Sequence, residues 1–292
     1  METLETIAAR IETTEEIHGI VRTMKSLSAA SIRSYERAVE AIGEYERTVT
    51  LGMQAVLRTQ GAGRLRARPA KGRRLVIVLG SDRGLCGRFN DRVAGAARPV
   101  LGGGDTFLAV AGLRAAARLE AQGHAADIRF ALPGSVAGLT ETVRVMAARI
   151  DRETRHGRAG AVTLVFNRRQ AQALAEPVQR QLLPVSDRYL DALATRPWPS
   201  RSLPAHRADG DRLFSWLLHQ HLFVMVYRAL AESLASEHAA RLAAMQGAER
   251  NIEERHADLR ADYRHKRQES VTRELLDLVS GFESARGDDA SA

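Results

Sequence analysis

The chain has 292 residues, 45% of them hydrophobic, so it can bury a core as one large domain or two smaller ones. Aromatics make up only 5% while alanine and leucine dominate, which favours helices over an all-β sandwich. The formal charge is +8, and the single cysteine, Cys86, excludes an internal disulfide framework and fits a reducing compartment.

The opening METLETIAARIETTEE carries acids where a signal peptide carries basic residues, and transit peptides avoid such acids. Residues 3–57 then run without proline. Ile7, Val21, Tyr35, Ile42, Val49 and Val56 fall on one seven-residue lattice, with Thr14 and Ser28 in its polar gaps. Leu4, Ile11, Ile17, Met24 and Tyr45 widen the stripe. That spacing predicts a helix lying along another helix in a supercoiled seam, roughly 80 Å long at 1.5 Å per residue.

Glycine and charge end this helix after Leu57. Residues 58–74 hold seven basic residues, no acid and no aromatic for base stacking. The segment reads as a solvated basic linker ahead of an anion- or nucleic-acid-binding patch.

The middle of the chain changes character. LVIVLG (75–80), TFLAVAG (106–112), DIRFAL (127–132) and AVTLVFN (161–167) are short apolar runs rich in β-branched or aromatic residues. Helix-compatible stretches at 88–101, 112–122 and 136–156 separate them, which predicts βαβ units and a mainly parallel sheet. Residues 171–184 could add an edge strand, where Pro177 is tolerated. A proline-rich linker follows at 196–210.

Residues 211–283 then contain no proline, and Met245, Ile252 and Leu259 are again spaced by sevens. This predicts a second helix, roughly 105 Å long at the same rise. Its most apolar part, WLLHQHLFVMVY (216–227), is interrupted by two histidines and a glutamine and falls short of the roughly 18 apolar residues of a bilayer span. A cluster around it, Phe214, Trp216, Leu217, Leu218 and Leu222–Tyr227, is apolar nearly all round and is expected to be buried on every side. The tail 284–292 reads as disordered. The expectation is a soluble, intracellular, bacterial or archaeal protein. Its fold class is α/β with a long α-helical coiled coil: an antiparallel pair of terminal helices, 1–57 and 211–283, with a Rossmann-like domain, 75–195, inserted between them.

The glycine-rich turn after the first strand, GSDRGLCG (80–87), raises the question of a phosphate site. It lacks the lysine and hydroxyl of G-x-x-x-x-G-K-[ST], and its glycines are not spaced as G-x-G-x-x-G. Gly84 and Gly87 therefore read as a tight strand-to-helix turn needing positive φ. Cys86 lies beside arginines at a helix start, both of which lower a thiol pKa, but no histidine is near it in sequence, so it reads as an inert small residue. His219 and His221 are two apart and point to different helix faces, so they cannot chelate one metal together. No H-E-x-x-H, C-x-x-C or G-x-S-x-G occurs, and no cofactor or metal is expected.

Three stretches together resemble the gamma subunit family of F-type ATP synthases: SDRGLCGRFN (81–90), SEHAARLAAMQGAERNI (236–252) and KRQESVTRELLDLVSG (266–281). The resemblance implies a non-catalytic shaft of two helices carrying a Rossmann-like domain that binds no nucleotide. It implies partners in a hexameric ring of alpha and beta subunits, an epsilon subunit and a membrane ring of c subunits. Contact with the membrane would be made only through the complex, on the cytoplasmic face of a bacterial membrane. Contacts with the beta subunits map onto Met24, Lys25, Arg267, Gln268, Thr272 and Glu274. Ser31 and Arg273 depart from the usual pattern, which points to an alternate, sodium-type bacterial branch. From the residues alone two other readings stay open: a nucleotide-binding enzyme with helical appendages, or a coiled-coil adaptor holding nucleic acid through Arg64, Arg66 and Arg68.

Overall fold

The computed structural model describes residues 3–61, 72–170, 173–202 and 206–289. Two helices, α1 (Leu4–Gln60) and α6 (Gly210–Asp289), enclose the rest of the chain in sequence. Contacts group the molecule into two compact units, Leu27–Ala244 and the pair Met1–Ser26 with Met245–Ala292.

The larger unit is built on a five-stranded sheet of order β3-β2-β1-β4-β5. Strands β1 (Arg73–Leu79), β2 (Thr106–Ala111), β3 (Ile128–Phe130) and β4 (Ala159–Gln170) are parallel, while β5 (Ala173–Leu183) returns antiparallel along β4. Pro177 sits on this edge strand opposite Asn167, where a missing N–H costs no ladder bond on the outer side.

The apolar runs are continuous because both faces of the sheet are covered. Alternation sorts their side chains. Leu75, Ile77, Leu79, Phe107 and Ala109 face a core completed by α4 (Leu139–Arg155), by Tyr35 and Ala38 of α1, and by Leu222, Val226, Ala229 and Leu230 of α6. Val76, Val78, Leu108 and Val110 face the opposite way, against α2 (Phe89–Leu101) and α3 (Leu113–Glu120). A third cluster joins α1 to α6 through Val49, Met53, Val56, Leu57, Phe214 and Leu217. It also takes Leu190 and Leu193 from a helix the sequence pattern did not single out, α5 (Asp187–Thr195), which Ser186 caps through the Tyr189 amide.

Within this unit the two long helices run antiparallel. Arg228 reaches Glu46 at 2.7 Å, Gln220 accepts from the Tyr45 hydroxyl at 2.8 Å, and His238 stacks on Tyr35 with centroids 5.7 Å apart. The heptad lattice read from the sequence is the buried stripe: Tyr35, Val49 and Val56 are buried, as is the polar Ser28.

The smaller unit is the same kind of pair, with Lys25 on Glu249 and Glu15 on both His256 and Arg260. Its seam holds Ile7, Val21, Met245 and Leu259. Here α6 outruns the start of α1, so Val271, Leu275, Leu276, Leu278 and Val279 are exposed.

Several expectations need correction. Helix α6 continues to Asp289 through most of the tail read as disordered, and residues 290–292 lie outside the described residues. Trp216 is 55% exposed, so the apolar cluster is not buried on every side, although Phe214, Leu217, Leu222, Val224 and Val226 are. The basic linker is not wholly solvated. Helix α1 extends through Arg58, whose guanidinium donates to the carbonyls of Ala194 and Arg196, and Arg73 begins β1 and pairs with Asp105. Residues 62–71, with Arg64, Arg66, Arg68 and Lys71, lie outside the described residues. Among the described residues no helix is long and apolar enough to cross a membrane.

Candidate functional site

The turn after β1 lies at the carboxyl end of the sheet, beside the point where strand order reverses between β2 and β4. In doubly wound folds that crevice is where ligands bind. The chain closes it with its own side chains. The Ser81 amide donates to Asn90 Oδ1 at 3.1 Å, and Asn90 Nδ2 returns to Ser81 Oγ at 2.8 Å. The Leu113 amide, at the start of α3, donates to Asp82 Oδ1 at 2.9 Å. Two of the amides at this crevice, those of Ser81 and Leu113, are thus already spent on Asn90 and Asp82. Asn167, fully buried at the far end of β4, donates to the Phe89 carbonyl and ties α2 to the sheet.

The turn needs left-handed backbone at Gly87 (φ +58°) and at Leu85 (φ +60°), and Gly84 is not in that region. The expected glycine requirement therefore holds for Gly87, while a leucine carries the second position. Gly80 is constrained differently: a Cβ there would lie 2.1 Å from Ala115 Cβ, so β1 and α3 meet only because it is glycine. Gly84 instead presents its carbonyl to α6.

The partner of that carbonyl is Arg241. Its Nε and Nη2 donate to the Gly84 oxygen at 3.3 and 3.4 Å, and Nη2 reaches Glu237 Oε1 at 2.5 Å. Both members of this ion pair are buried. Burial pushes the Glu237 carboxyl up, and the Arg241 charge opposes that rise. His238, between them in sequence, is driven down to about 4 by burial and by the positive charges of Arg241 and Arg83, so it stays neutral. Tyr35, stacked on it, is raised by its own burial and by Glu237.

Cys86 packs with Phe89, Ala175 and Ala240. The neighbouring arginines and helix start were expected to lower its pKa; burial wins, and the thiol is raised. A protonated, enclosed thiol is a poor nucleophile.

Two of the sequence stretches singled out, 81–90 and 236–252, therefore meet: one supplies carbonyls, the other a guanidinium. Arg241, Glu237 and His238 have no assigned role in the sequence reading, and Tyr35 has only a place on the heptad lattice. A Glu–Arg pair four apart inside an apolar run of a helix was the available signal.

The partner-contact residues sit apart from this cluster. Met24 is half-buried, and Lys25 holds both Glu249 oxygens at 2.5 and 2.8 Å. Arg267, Gln268, Thr272 and Glu274 are exposed on α6, the first three along one shallow groove with Arg264 and Val271. His219 bonds Asp151 and His221 stacks on Tyr189, so the two histidines do diverge. Among the described residues the grouping nearest to ligand geometry is His18, Glu249 and Glu253, with ligand atoms within 4.8 Å, but the Lys25 ammonium occupies Glu249.

The family model described as ATP synthase matches residues 3–285. The ATP synthase gamma chain of Anaeromyxobacter dehalogenans is 32% identical, over 98% of this chain and 100% of that one. The gamma chain of Geotalea uraniireducens is 29% identical over the same shares of the two chains, 98% and 100%. Among solved structures, a chain of the Euglena gracilis mitochondrial ATP synthase (OSCP/F1/c-ring, rotational state 3) shares the fold with a TM-score of 0.66 at 16% identity, over 98% of this chain and 95% of that one. The glycine turn held by a buried arginine, the paired terminal helices and these matches lead to one conclusion: the chain belongs to the ATP synthase family, among its gamma chains.

Proposed function

We propose that this chain is the central-stalk rotor of an F-type ATP synthase, coupling transmembrane ion flow to ATP synthesis or hydrolysis without a catalytic site of its own. The observation that carries the reading is the helix pair. A torque-bearing element must resist bending, and a heptad seam of buried side chains with ion pairs along its flanks supplies that stiffness. The crevice supports the second half: the Ser81 amide at the turn and the Leu113 amide at the start of α3 are already bonded to Asn90 and Asp82.

The chemistry then belongs to partners. These are a hexameric ring of alpha and beta subunits, an epsilon subunit and a membrane ring of c subunits, and no nucleic acid. The exposed group Arg267, Gln268, Thr272 and Glu274 offers charged and polar contacts to the beta subunits, and Arg267 can make charge-assisted bonds to acidic loops. Met24 and Lys25 form a second contact, in which an incoming carboxylate would compete with Glu249 for the ammonium. The chain would be peripheral, held at the cytoplasmic face of a bacterial membrane through the complex.

The test is reconstitution with alpha and beta subunits encoded beside this chain. One copy per three alpha–beta pairs, with ATP-driven rotation of a bead fixed to the α/β domain, is the expected result. A ring that assembles and hydrolyses ATP with this chain excluded from it would overturn the reading.

A further inference from the structure

A cavity of about 490 Å³ opens where the end of β5 and the turn after it face α6, well within the larger unit. Its size is that of a small-molecule site. Leu183, Pro184 and Val185 form one wall, and Leu218, Leu222 and Met225 form the other. The other half of the lining is polar, with Glu46, Arg180, Tyr189, His221 and Arg228 in it.

Those polar groups are unevenly satisfied. Arg228 is fully engaged, by Glu46 at 2.7 Å and Glu232 at 2.9 Å. Arg180 is different. Its guanidinium lies 5.8 Å from the centre of the Phe166 ring, and among the described residues no carboxylate comes within ion-pair distance of it. His221, stacked on Tyr189 with centroids 5.6 Å apart, has a water-shielded Nδ1 with no hydrogen-bond partner. An unpartnered buried nitrogen costs roughly 1–3 kcal/mol, and this one is shielded from the cavity, which the His221 ring lines. A chamber with two apolar walls and one guanidinium free of an ion pair suits an anion that carries an apolar body.

We propose that this cavity binds an amphiphilic monoanion: a carboxylate or sulfonate head on Arg180, beside the His221 ring, with an aliphatic or aromatic body against Leu218, Leu222 and Met225. A planar guanidinium takes such a head through two parallel bonds, and the apolar walls remove the body from water. The site shares no residue with the glycine turn or with the 267–274 group, so it stands or falls independently of the rotor reading.

The probe is 8-anilinonaphthalene-1-sulfonate, added to the full-length chain and followed by fluorescence and calorimetry, with decanoate as competitor. The expected result is saturable binding of one probe per chain, displaced by decanoate. Arg180→Gln should weaken it about tenfold or more, the equivalent of one charge-assisted contact. Met225→Trp, which fills the chamber, should abolish it, with circular dichroism confirming that both variants keep their helix content. Arg180→Lys retains the charge and should bind more weakly than the wild type but more tightly than Arg180→Gln. Several equivalent probes per chain, or affinity unchanged in both Arg180→Gln and Met225→Trp, would overturn the site. Probe binding that decanoate fails to displace would overturn the proposed ligand class.

Discussion

One helix, α6, is two different objects along its length. From Phe214 to Leu234 it is a core element, with Val224, Val226, Ala229, Leu230 and Ala231 entirely shielded. From Val271 to Val279 five of nine residues are valine or leucine, and each of these side chains is about half or more exposed. A high content of aliphatic residues therefore does not mean burial. What separates the two stretches is what lies alongside: α1, α4 and the sheet in the first case, while in the second α6 has run past the start of α1. An apolar stripe on a helix is a request for a neighbour, and only the first stripe has its request met within the chain.

The buried end can be broken most severely at its ion pair. Arg241→Ala strands the Glu237 carboxylate in a dry site and is expected to destabilise the full chain by about 3–5 kcal/mol in urea unfolding. Arg241→Met combined with Glu237→Leu should recover most of that loss, because no charge is left unpaired. An equal loss in the double variant would mean that packing against Gly84 matters more than the charge.

A matched pair sharpens the comparison. Val226→Ala removes two methyl groups from a closed core and should cost about 2–3 kcal/mol, from lost burial plus the cavity left behind. Val271→Ala, the same change on the same helix, should shift unfolding by less than about 0.5 kcal/mol. In a reconstituted ring, Val271→Ala is instead expected to reduce coupling. Equal costs in the isolated chain would erase the distinction between the two ends.

Next in size is acid sensitivity. The folded pKa of His238 lies near 4, below its ordinary 6.5, so its contribution to stability is whole above pH 6.5 and is lost as pH falls toward 4. Allowing for solvent at its edge, that loss is about 2 kcal/mol. Glu237 has the opposite sign, since a raised carboxyl gains its proton earlier when folded. His238→Phe should keep the stack on Tyr35 and flatten the stability curve between pH 6.5 and 4. An unchanged acid limb would place the sensitivity elsewhere.

The smallest effect concerns Leu85, whose left-handed backbone costs roughly 1–2 kcal/mol, against the roughly 0.5–1 kcal/mol of chain freedom a glycine would have to lose. Leu85→Gly is therefore expected to raise stability by up to about 1 kcal/mol in the same unfolding assay. A drop would mean that the exposed leucine makes a contact its exposure does not suggest.

The periodicity was legible wherever one physical rule acted alone. Seven-residue spacing at Tyr35, Val49 and Val56 had to be a helix seam, because no other arrangement puts those side chains on one face. The alternation of apolar runs with helix-compatible stretches had to be a parallel sheet for a similar reason. Helix α5 escaped notice because nine residues between a strand and a proline-rich stretch leave too short a period to read. The end of α6 was misjudged because helix propagation near a polar tail depends on local backbone bonds that composition does not report.

By itself, then, the sequence determined most of the elements, α5 and the end of α6 excepted, together with the pairing of the long helices and the family, since these depend on periodicity and on motifs contiguous in the chain. Tertiary structure alone decided that Arg241 reaches Gly84, that Cys86 is enclosed, and that His221 and Arg180 share a cavity. Each of these joins residues far apart in the chain, and their protonation and availability depend on burial. Burial is a property of the packed neighbours, and no local run of residues carries it.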